Sequence, residues 1–491
     1  MLGKLLLGCA LSALPMLALA APERLTIGMT LEPPALDPTA NAAETIADVT
    51  LYNIYETLTK IQEDGSVTPL LAENWTVSDD GKTYTFRLRE GVRFHNGAPL
   101  DAETVRFSFE RAGADNSTNK DRRHFSQWQI ATPDPLTVQI TLPQADPDLP
   151  FRLGMMTAAI VEPGSVATNA TQPTGTGPYQ LADWQRGSRL QLKKWPDYRN
   201  ADQVALDEVT IRFISDPAAQ AAALLAGDID AFPRIQASRS LPRLQQDPRF
   251  DIVIGGSRAK TMMAINQRRA PLDDVRVRRA ILAAIDRDAV IEGAAEGYGL
   301  PIGSFYTPGT SAYVDTTAIN PYDPAKAKAL LKEAGLTSPL QVDLLLPPPP
   351  YARQGGEIIA ALLAQAGIQA RIKNVEWAQW LANVYGGEHD YDLTIVSHVE
   401  PLDLGNFANP DYYTGYDSQT FQDLYQATRT AGDEASRIEA LQAAQRQLAN
   451  DAAAAFLYQP QWISIARKGI SGMRKDVPVF ITDFASWRRQ Q

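Results

Sequence analysis

Cysteine and histidine are both scarce in this chain of 491 residues. The single cysteine is Cys9, and the four histidines are His95, His124, His389 and His398. The histidines occur singly, without the HExxH or cysteine-rich spacings that hold zinc. A chain with one cysteine forms no internal disulfide. We therefore expect no cofactor, no disulfide framework and no direct metal site, while a metal bound to a small chelator remains open as a ligand.

Motifs of catalysis are also missing. The sequence contains no G-x-S-x-G nucleophile elbow and no Walker motif for ATP hydrolysis. Glu400 and Asp403 could form the carboxylate pair of a glycosidase, but any acidic chain offers such a pair. We predict that the chain is not an enzyme, and a secreted hydrolase that uses these two acids is the rival hypothesis.

Basic residues are outnumbered by acidic ones. The chain has 46 Lys and Arg against 57 Asp and Glu, which gives a formal net charge of -11. Proteins that bind nucleic acid are expected to be basic, so we predict no nucleic-acid partner. The hydrophobic content of 44% and the charged content of 21% are those of a globular protein. The length exceeds that of one hydrophobic core and predicts two or three lobes.

Long apolar runs are absent beyond the N-terminus. Residues 1 to 20 read as an export signal, with Lys4, an apolar run from 5 to 19, and the small-x-small pattern Ala18-Leu19-Ala20. We predict cleavage after Ala20 and a periplasmic location. The sequence from Leu6 to Cys9 resembles a lipobox, but the apolar region before it is too short, so a lipoprotein is the disfavoured alternative.

The stretch from 69 to 111 carries the clearest local pattern. Apolar and polar residues alternate from Thr83 to Leu88, which predicts a half-buried strand. The Asp79-Asp80-Gly81 turn predicts that 75 to 77 pairs back as a hairpin arm, and Val92 to Phe94 would add a short third strand. Asp101 then predicts the N-terminal cap of a helix.

Further punctuated motifs follow this block. Thr174-Gly175-Thr176-Gly177-Pro178-Tyr179 suits a backbone crossing with unusual torsions. Asp216 and Asp323, each followed by proline, predict helix starts, and Gly227 and Gly335 predict the ends. The segment from Leu340 to Leu346 reads as a strand, and 347 to 350, four prolines, as extended backbone.

The order LAENW, VSDDGKTYTFRLREGVRFHNG and DAETVRFSFER resembles the signature region of the extracytoplasmic solute-binding proteins of family 5, which serve peptide, nickel and related ABC importers. Matches downstream include GTGPY, WPDY, LAGDID and PLDDVRVR, so the resemblance covers nearly the whole chain after the signal. It implies a periplasmic binding protein-like α/β fold with two α/β lobes joined by a hinge and an inserted β-rich lobe.

The resemblance also implies an organisation and partners. We expect lobe I to comprise 21–48, 173–258 and 466–491, the inserted β-rich lobe II to comprise 49–172, and lobe III to comprise 259–465. Two chain crossings, near 255 to 270 and 458 to 468, would form the hinge. The expected partners are a small-molecule or short-peptide ligand and an ABC permease complex in the inner membrane, and the protein is expected to be a monomer.

The loop after a strand at 391 to 396 is the main candidate site. Peptide-binding members read Trp-x-x-Asp-x-x-Asp-Pro here, and the first Asp holds the ligand's α-ammonium. By resemblance Glu400 takes the place of that Asp and Asp403 that of the second, with His398 in the same loop. A carboxylate in a closing cleft can hold a cation by charge-assisted hydrogen bonds. The alternative is a loop carboxylate that bonds backbone amides.

Other parts of the family pattern are altered in this sequence. Ser397 stands where the Trp is expected, and the place of the Arg that binds a dipeptide's carboxylate falls near Leu346-Pro347, both uncharged. Arg353 lies a few residues further on and is a candidate substitute, with an exposed arginine at a helix start as the alternative. A plain dipeptide with both ends charged is therefore in doubt.

Aromatic residues and one further acid complete the candidate set. Trp377 and Trp380 lie three residues apart, and Tyr351 and Phe407 have similar standing as rings that could stack on a ligand, although such residues are more often core. In family members the loop at 41 to 45 tends to face the cleft, which adds Glu44.

The sequence thus predicts a periplasmic solute-binding component of an ABC importer that captures a short peptide or a related amine-bearing solute by hinge closure. Binding of an oligosaccharide, an opine-like conjugate or a metal chelate on the same fold is the alternative. A sensor or chaperone module on the same fold is a further rival. The sequence does not identify the cargo.

Overall fold

The computed structural model describes residues 22–41, 43–336 and 339–490. The predicted signal at 1 to 20, with Cys9 and the cleavage site, lies outside these residues. Within the part that is described, no helix is long and apolar enough to cross a membrane.

The strands are short apart from the last long one, and they are as follows: β1 (Arg24–Met29), β2 (Thr59–Ile61), β3 (Val67–Pro69), β4 (Ala72–Val77), β5 (Thr83–Leu88), β6 (Gln129–Asp134), β7 (Thr137–Thr141), β8 (Tyr179–Gln185), β9 (Arg189–Lys194), β10 (Glu208–Phe213), β11 (Ala231–Phe232), β12 (Phe250–Gly256), β13 (Lys260–Ile265), β14 (Gly299–Pro301), β15 (Leu340–Leu346), β16 (Ile368–Asn374), β17 (Leu393–His398), β18 (Ala454–Arg467), β19 (Ile470–Ser471) and β20 (Arg488–Arg489).

The α-helices are as follows: α1 (Glu44–Thr50), α2 (Ala102–Gly113), α3 (Arg122–Phe125), α4 (Leu149–Arg152), α5 (Pro217–Ala226), α6 (Leu241–Gln245), α7 (Val275–Ala283), α8 (Arg287–Ala295), α9 (Pro324–Glu333), α10 (Pro350–Gln365), α11 (Trp377–Trp380), α12 (Gln419–Thr430) and α13 (Glu434–Asn450).

One large sheet runs through most of the molecule. Its strand order is β16-β15-β17-β13-β18-β11-β1-β10-β9-β8, and β12 and β14 also pair with β18. A separate four-stranded antiparallel sheet has the order β4-β5-β7-β6. The mixture of parallel strands, helices and a four-stranded antiparallel sheet agrees with the α/β class with a β-rich insertion.

Strand β18 joins the two halves of the large sheet. Its first part pairs with β13, and its second part, from Gln461 to Arg467, pairs with β12. The chain also passes between the halves at residues 257–259, where β12 leads into β13. The buried Gln459 side chain donates to the carbonyl of Ser257 and ties the two crossings together. Both crossings lie within the ranges predicted for the hinge.

Separate hydrophobic cores divide the chain into three regions. We use lobe I for the residues around β1, β8 to β12 and the second half of β18, lobe II for those around the four-stranded sheet and α2, and lobe III for those around β13, β15 to β17 and α7 to α13. Each has its own clusters of buried apolar side chains. The exact lobe bounds given above remain a prediction.

The elements of the block from 69 to 111 form as predicted, with one exception. Strand β5 pairs with β4, and the Asp101 side chain accepts from the Thr104 amide at the start of α2, so the hairpin and the cap are confirmed. The third strand at Val92 to Phe94 is wrong, because only an isolated bridge joins Arg93 to Pro99. The prediction that 347 to 350 is extended throughout is wrong at its last residue, because α10 begins at Pro350. A proline fits the first helical turn, where the missing backbone N–H would have no partner within the helix.

The crossing at Gly175 to Tyr179 owes its glycines to close packing. A Cβ atom on Gly175 would lie 1.9 Å from the Ile54 carbonyl oxygen, and one on Gly177 would lie 2.5 Å from that of Asn53. Neither glycine has the positive φ that the sequence suggested. His95 spans this crossing, because its Nε2 lies 2.9 Å from the Gly177 oxygen and the Gly175 amide donates to Nδ1 at 3.3 Å.

These contacts make His95 an acid-sensitive link between lobes I and II. Burial lowers the pKa of His95 from its ordinary value of 6.5 to about 4. The unfolded chain therefore binds a proton on this side chain between pH 6.5 and pH 4 and the folded chain does not, so acid reduces stability in that window. We expect His95→Gln to remove up to about 3 kcal/mol of the acid-induced fall in unfolding free energy.

Urea unfolding at pH 7, 5.5 and 4 measures this difference. If the variant and the unmodified protein lose the same stability between pH 7 and pH 4, His95 is not an acid-sensitive link.

Candidate functional site

A cavity of about 730 Å³ lies between lobe I and lobe III. Its lobe I wall consists of residues 28–31 at the end of β1, 43–45 with Asp48 at α1, 233–236 after β11, 460–463 of β18, and Phe480 and Thr482 near the C-terminus. Strands β1 and β11 are parallel, so their carboxyl ends meet at one edge of the sheet, where α/β folds place ligands.

The lobe III wall is formed by fewer residues. Ala259 precedes β13, Tyr351 lies in the first turn of α10, Ser397 belongs to β17, and Val399 follows that strand. The Ser397 amide donates to the Tyr351 hydroxyl oxygen at 3.2 Å, which fixes the ring at the wall. Of the residues proposed from sequence, Tyr351 and Glu44 line this cavity.

Glu400 borders a smaller cavity of about 30 Å³ next to the large one. The two cavities share Glu44, Val399 and Phe480 in their walls. The Glu400 side chain is exposed to solvent, and its carboxylate accepts one weak hydrogen bond, from the Val399 amide at 3.2 Å. Lys120 of lobe II borders the same small cavity and forms an ion pair with Glu44. Charged groups of all three lobes therefore meet here.

Asp403 is not free to bind a ligand, because Lys260 holds it. The Lys260 side chain is 1% exposed, and its Nζ lies 2.8 Å from Asp403 Oδ1 and donates to the Glu400 carbonyl oxygen. The same ammonium lies 3.9 Å from the centre of the Phe305 ring. Asp403 therefore acts as the counter-ion of a buried lysine.

The titration of this cluster follows from its burial. Burial lowers the pKa of His398, Lys260 acts in the same direction, and Asp403 opposes them, so the imidazole is neutral at pH 7. Its Nε2 lies 2.8 Å from the Tyr413 hydroxyl. Desolvation raises the pKa of Glu400, but the protonated form of His398, the residue's own backbone amide, Lys260 and Lys120 together lower it by more, so the net pKa falls below its ordinary value.

His398, Glu400 and Asp403 also lie close enough together to suggest a metal site, since one ligand atom of each lies within 4.8 Å of the others. The Lys260 ammonium already lies 2.8 Å from Asp403 and supplies the cation there. A divalent ion beside that ammonium would be repelled, so this cluster does not fit a metal.

The remaining sequence candidates lie away from the cavity wall. Trp380 is buried in the lobe III core and donates from Nε1 to Thr394 Oγ1 at 2.8 Å, and Phe407 is buried in the same core. Trp377 is 41% exposed and packs edge-on against Trp380, while Arg353 pairs with Glu376 at 3.3 Å. None of these four side chains lines either of the two cavities.

Sequence reasoning missed several residues of the lobe I wall. Asp48 lies one helical turn after Glu44, and Arg234 lies two residues beyond the end of β11, so helix periodicity and the strand-end rule could have found both. Trp462 lies inside a strand and Phe480 in a loop near the C-terminus. No local pattern singles out these two rings.

Known proteins share this arrangement of lobes. The sequence model of the bacterial extracellular solute-binding proteins, family 5 Middle, matches residues 66–419. The chain belongs to the bacterial extracellular solute-binding proteins of family 5. The family and the periplasmic binding protein-like fold expected from the signature block are therefore confirmed, as is the role of the chain as a solute-binding component of an ABC importer.

Individual family 5 proteins match over most of the chain. The dipeptide-binding protein of Escherichia coli K12 is 29% identical over 96% of this chain and 95% of its own length. The glutathione-binding protein GsiB of Salmonella paratyphi A is 34% identical over 72% and 69%. The solved structure of the binding protein AgaA of A. tumefaciens R10, in complex with agropinic acid, is 26% identical, with a TM-score of 0.77 over 95% of this chain and 99% of that one. These relatives are binding proteins.

The buried Lys260–Asp403 pair supplies a test of the site's architecture. Lys260→Met would leave the Asp403 carboxylate, which is 13% exposed, without its cation. Removing one partner of a buried ion pair costs about 3 to 5 kcal/mol. We expect a loss of unfolding free energy of that size in urea denaturation.

Lys373→Met is the matched control in the same lobe. Lys373 is 54% exposed, and its partner Asp343 keeps an ion pair with Arg371. An exposed pair of this kind contributes about 0 to 1 kcal/mol. Equal losses in the two variants would show that Lys260 is not a buried counter-ion.

Proposed function

We propose that this chain captures a short peptide or a related amine-bearing solute in the cavity between lobes I and III and presents it to its ABC permease complex in the inner membrane. The proposal is supported by the family, by the peptide named in the Escherichia coli relative and the glutathione named in GsiB, and by a cavity of about 730 Å³, which is large enough for a short peptide.

The charge balance where the lobes meet carries the proposal. Lys120 pairs with Glu44, and Lys260 pairs with Asp403, so each lysine already has a carboxylate. His398 is neutral at pH 7 because its pKa is lowered by burial. Glu400 is left as the carboxylate without a paired cation among these groups. A primary ammonium fits that place, because it is a compact cation with three N–H donors.

Hinge closure would follow from contacts to both walls. A ligand that touches lobe I and lobe III stabilises the conformation in which the walls are close. Ion pairs between lobes II and III act in the same direction: Arg437 pairs with Asp148, and Arg429 lies 3.8 Å from Asp146. Their release would accompany opening.

The chain would be exported by its N-terminal signal, cut after Ala20, and would act in the periplasm as a monomer without catalysis. A hydrolase that uses Glu400 and Asp403 is poorly supported, because Asp403 already neutralises Lys260 at 2.8 Å.

Native mass spectrometry of the protein purified gently from a rich-medium host tests the proposal. A released peptide or amine conjugate, identified by fragmentation, is the expected result. A released sugar or metal chelate, with no binding of di- or tripeptides by calorimetry, would contradict it.

Glu400→Gln tests the proposed ammonium contact. The variant keeps the size of the side chain and removes its charge, so a peptide with a free N-terminus should bind more weakly by roughly 1 to 3 kcal/mol. An N-acetylated peptide has no ammonium, and its affinity should not change. Calorimetric titration measures both.

Glu357→Gln is the control for this experiment, because Glu357 is an exposed acid on α10 outside the cavity walls. If Glu400→Gln binds the free peptide as tightly as the unmodified protein does, Glu400 does not contact the ligand's ammonium.

A further inference from the structure

Arg234 occupies a distinctive position in the lobe I wall. It follows β11, and its guanidinium lies 4.7 Å from the ring centres of both Trp462 and Phe480. The two rings pack against each other with centres 4.9 Å apart. Cation–π contacts with two rings restrict the guanidinium, so its hydrogen-bonding groups are held in place before a ligand arrives.

Most of the hydrogen-bonding capacity of Arg234 is unused. One Nη atom donates to the Asp48 carboxylate, and across the described residues neither Nε nor the second Nη has a hydrogen-bond partner. A guanidinium has five N–H donors in a fixed fork that matches a carboxylate. The side chain is 32% exposed and borders the large cavity. It can therefore bind an anionic group there.

Asp48 shares this guanidinium with any ligand. Its side chain is 7% exposed, and burial raises its pKa despite the opposing charge of Arg234, with Glu44 adding to the rise. Asp48 contacts only one Nη, so the remaining N–H groups of Arg234 stay available. A ligand carboxylate that brings its own charge would share the fork.

We propose that Arg234 of lobe I binds the anionic end of the solute, a carboxylate, while Glu400 of lobe III binds its ammonium. This inference rests on the proposed function. Arg234 would take the role of the arginine that is missing near Leu346-Pro347 of lobe III. It would do so from the opposite wall of the cavity, in lobe I. The solute class is thus a zwitterion with separated charges, and binding of its two ends on different lobes couples affinity to closure.

Calorimetric titration with a tripeptide, its C-terminal amide and its N-acetyl form tests the proposal. The unmodified protein should prefer the free acid to the amide. Arg234→Gln should weaken binding of the acid by roughly 10- to 100-fold and leave the amide unchanged. Arg234→Lys keeps the charge but loses the forked pair of N–H donors. Its affinity for the acid should lie between those of the unmodified protein and Arg234→Gln.

Two further variants separate binding from structure. Asp48→Asn removes the competing carboxylate and should tighten binding of the acid several-fold, an increase that a purely structural role would not produce. Arg186→Gln is the matched control, because Arg186 also lies over a tryptophan, Trp184, at 3.5 Å but outside the cavity wall. It should leave all three affinities unchanged.

The outcomes distinguish the two proposals. Equal affinity for acid and amide, together with unchanged binding in Arg234→Gln, overturns the role of Arg234 even if Glu400→Gln still discriminates the N-acetyl form. Failure of the unmodified protein to bind any of the three peptides overturns the proposed function, and this inference with it.

Discussion

One strand, β18, pairs with both halves of the large sheet, and this pairing fixes where lobes I and III are joined. Strand β18 adds to β13 of lobe III with its first residues and to β12 of lobe I with its last. The lobes are thus joined at two adjacent crossings, held together by the Gln459 contact to Ser257. Because the connection is confined to this edge, the facing ends of the strands can enclose a cavity.

Charge pairing then decides what the cavity can hold. Three cations near its walls, Lys120, Lys260 and Arg234, each have a carboxylate partner from a different part of the chain. Within each pair, the cation and the carboxylate neutralise each other. Two groups keep unused hydrogen-bonding positions: the Glu400 carboxylate and the unpaired edge of the Arg234 guanidinium. Partly exposed and buried pairs alike contribute little net stability. In the proposed mode of binding, they define which charges remain for a ligand.

Local patterns predicted the local structure and the family well. The Asp101 cap, the β5 strand and the helix ends at Gly227 and Gly335 depend on neighbouring residues, and all are present. The site was harder to predict. Lys260 finds Asp403 across 143 residues and Arg234 finds Asp48 across 186, and no periodicity in the sequence reports such pairs.

The sequence also did not show which aromatic candidates line the cavity. Trp380 and Phe407 lie in the lobe III core, where apolar burial and a hydrogen bond from the indole place them, and their spacing is the same whether a ring faces a core or a ligand. Glu44 and Tyr351 do line the cavity, because each lies in the first turn of a helix, α1 or α10, that begins beside it.

A solute held by both walls is expected to close lobe I on lobe III. This closure can be tested by the distance between dyes placed on Ala218→Cys in α5 and Lys328→Cys in α9, both exposed positions, in a chain that has no cysteine beyond Cys9. Single-molecule energy transfer should show a shorter distance when a di- or tripeptide is added, with a smaller shift in the Glu400→Gln background at equal concentration. If the distance does not change at peptide concentrations that saturate binding, a bound solute does not close lobe I on lobe III.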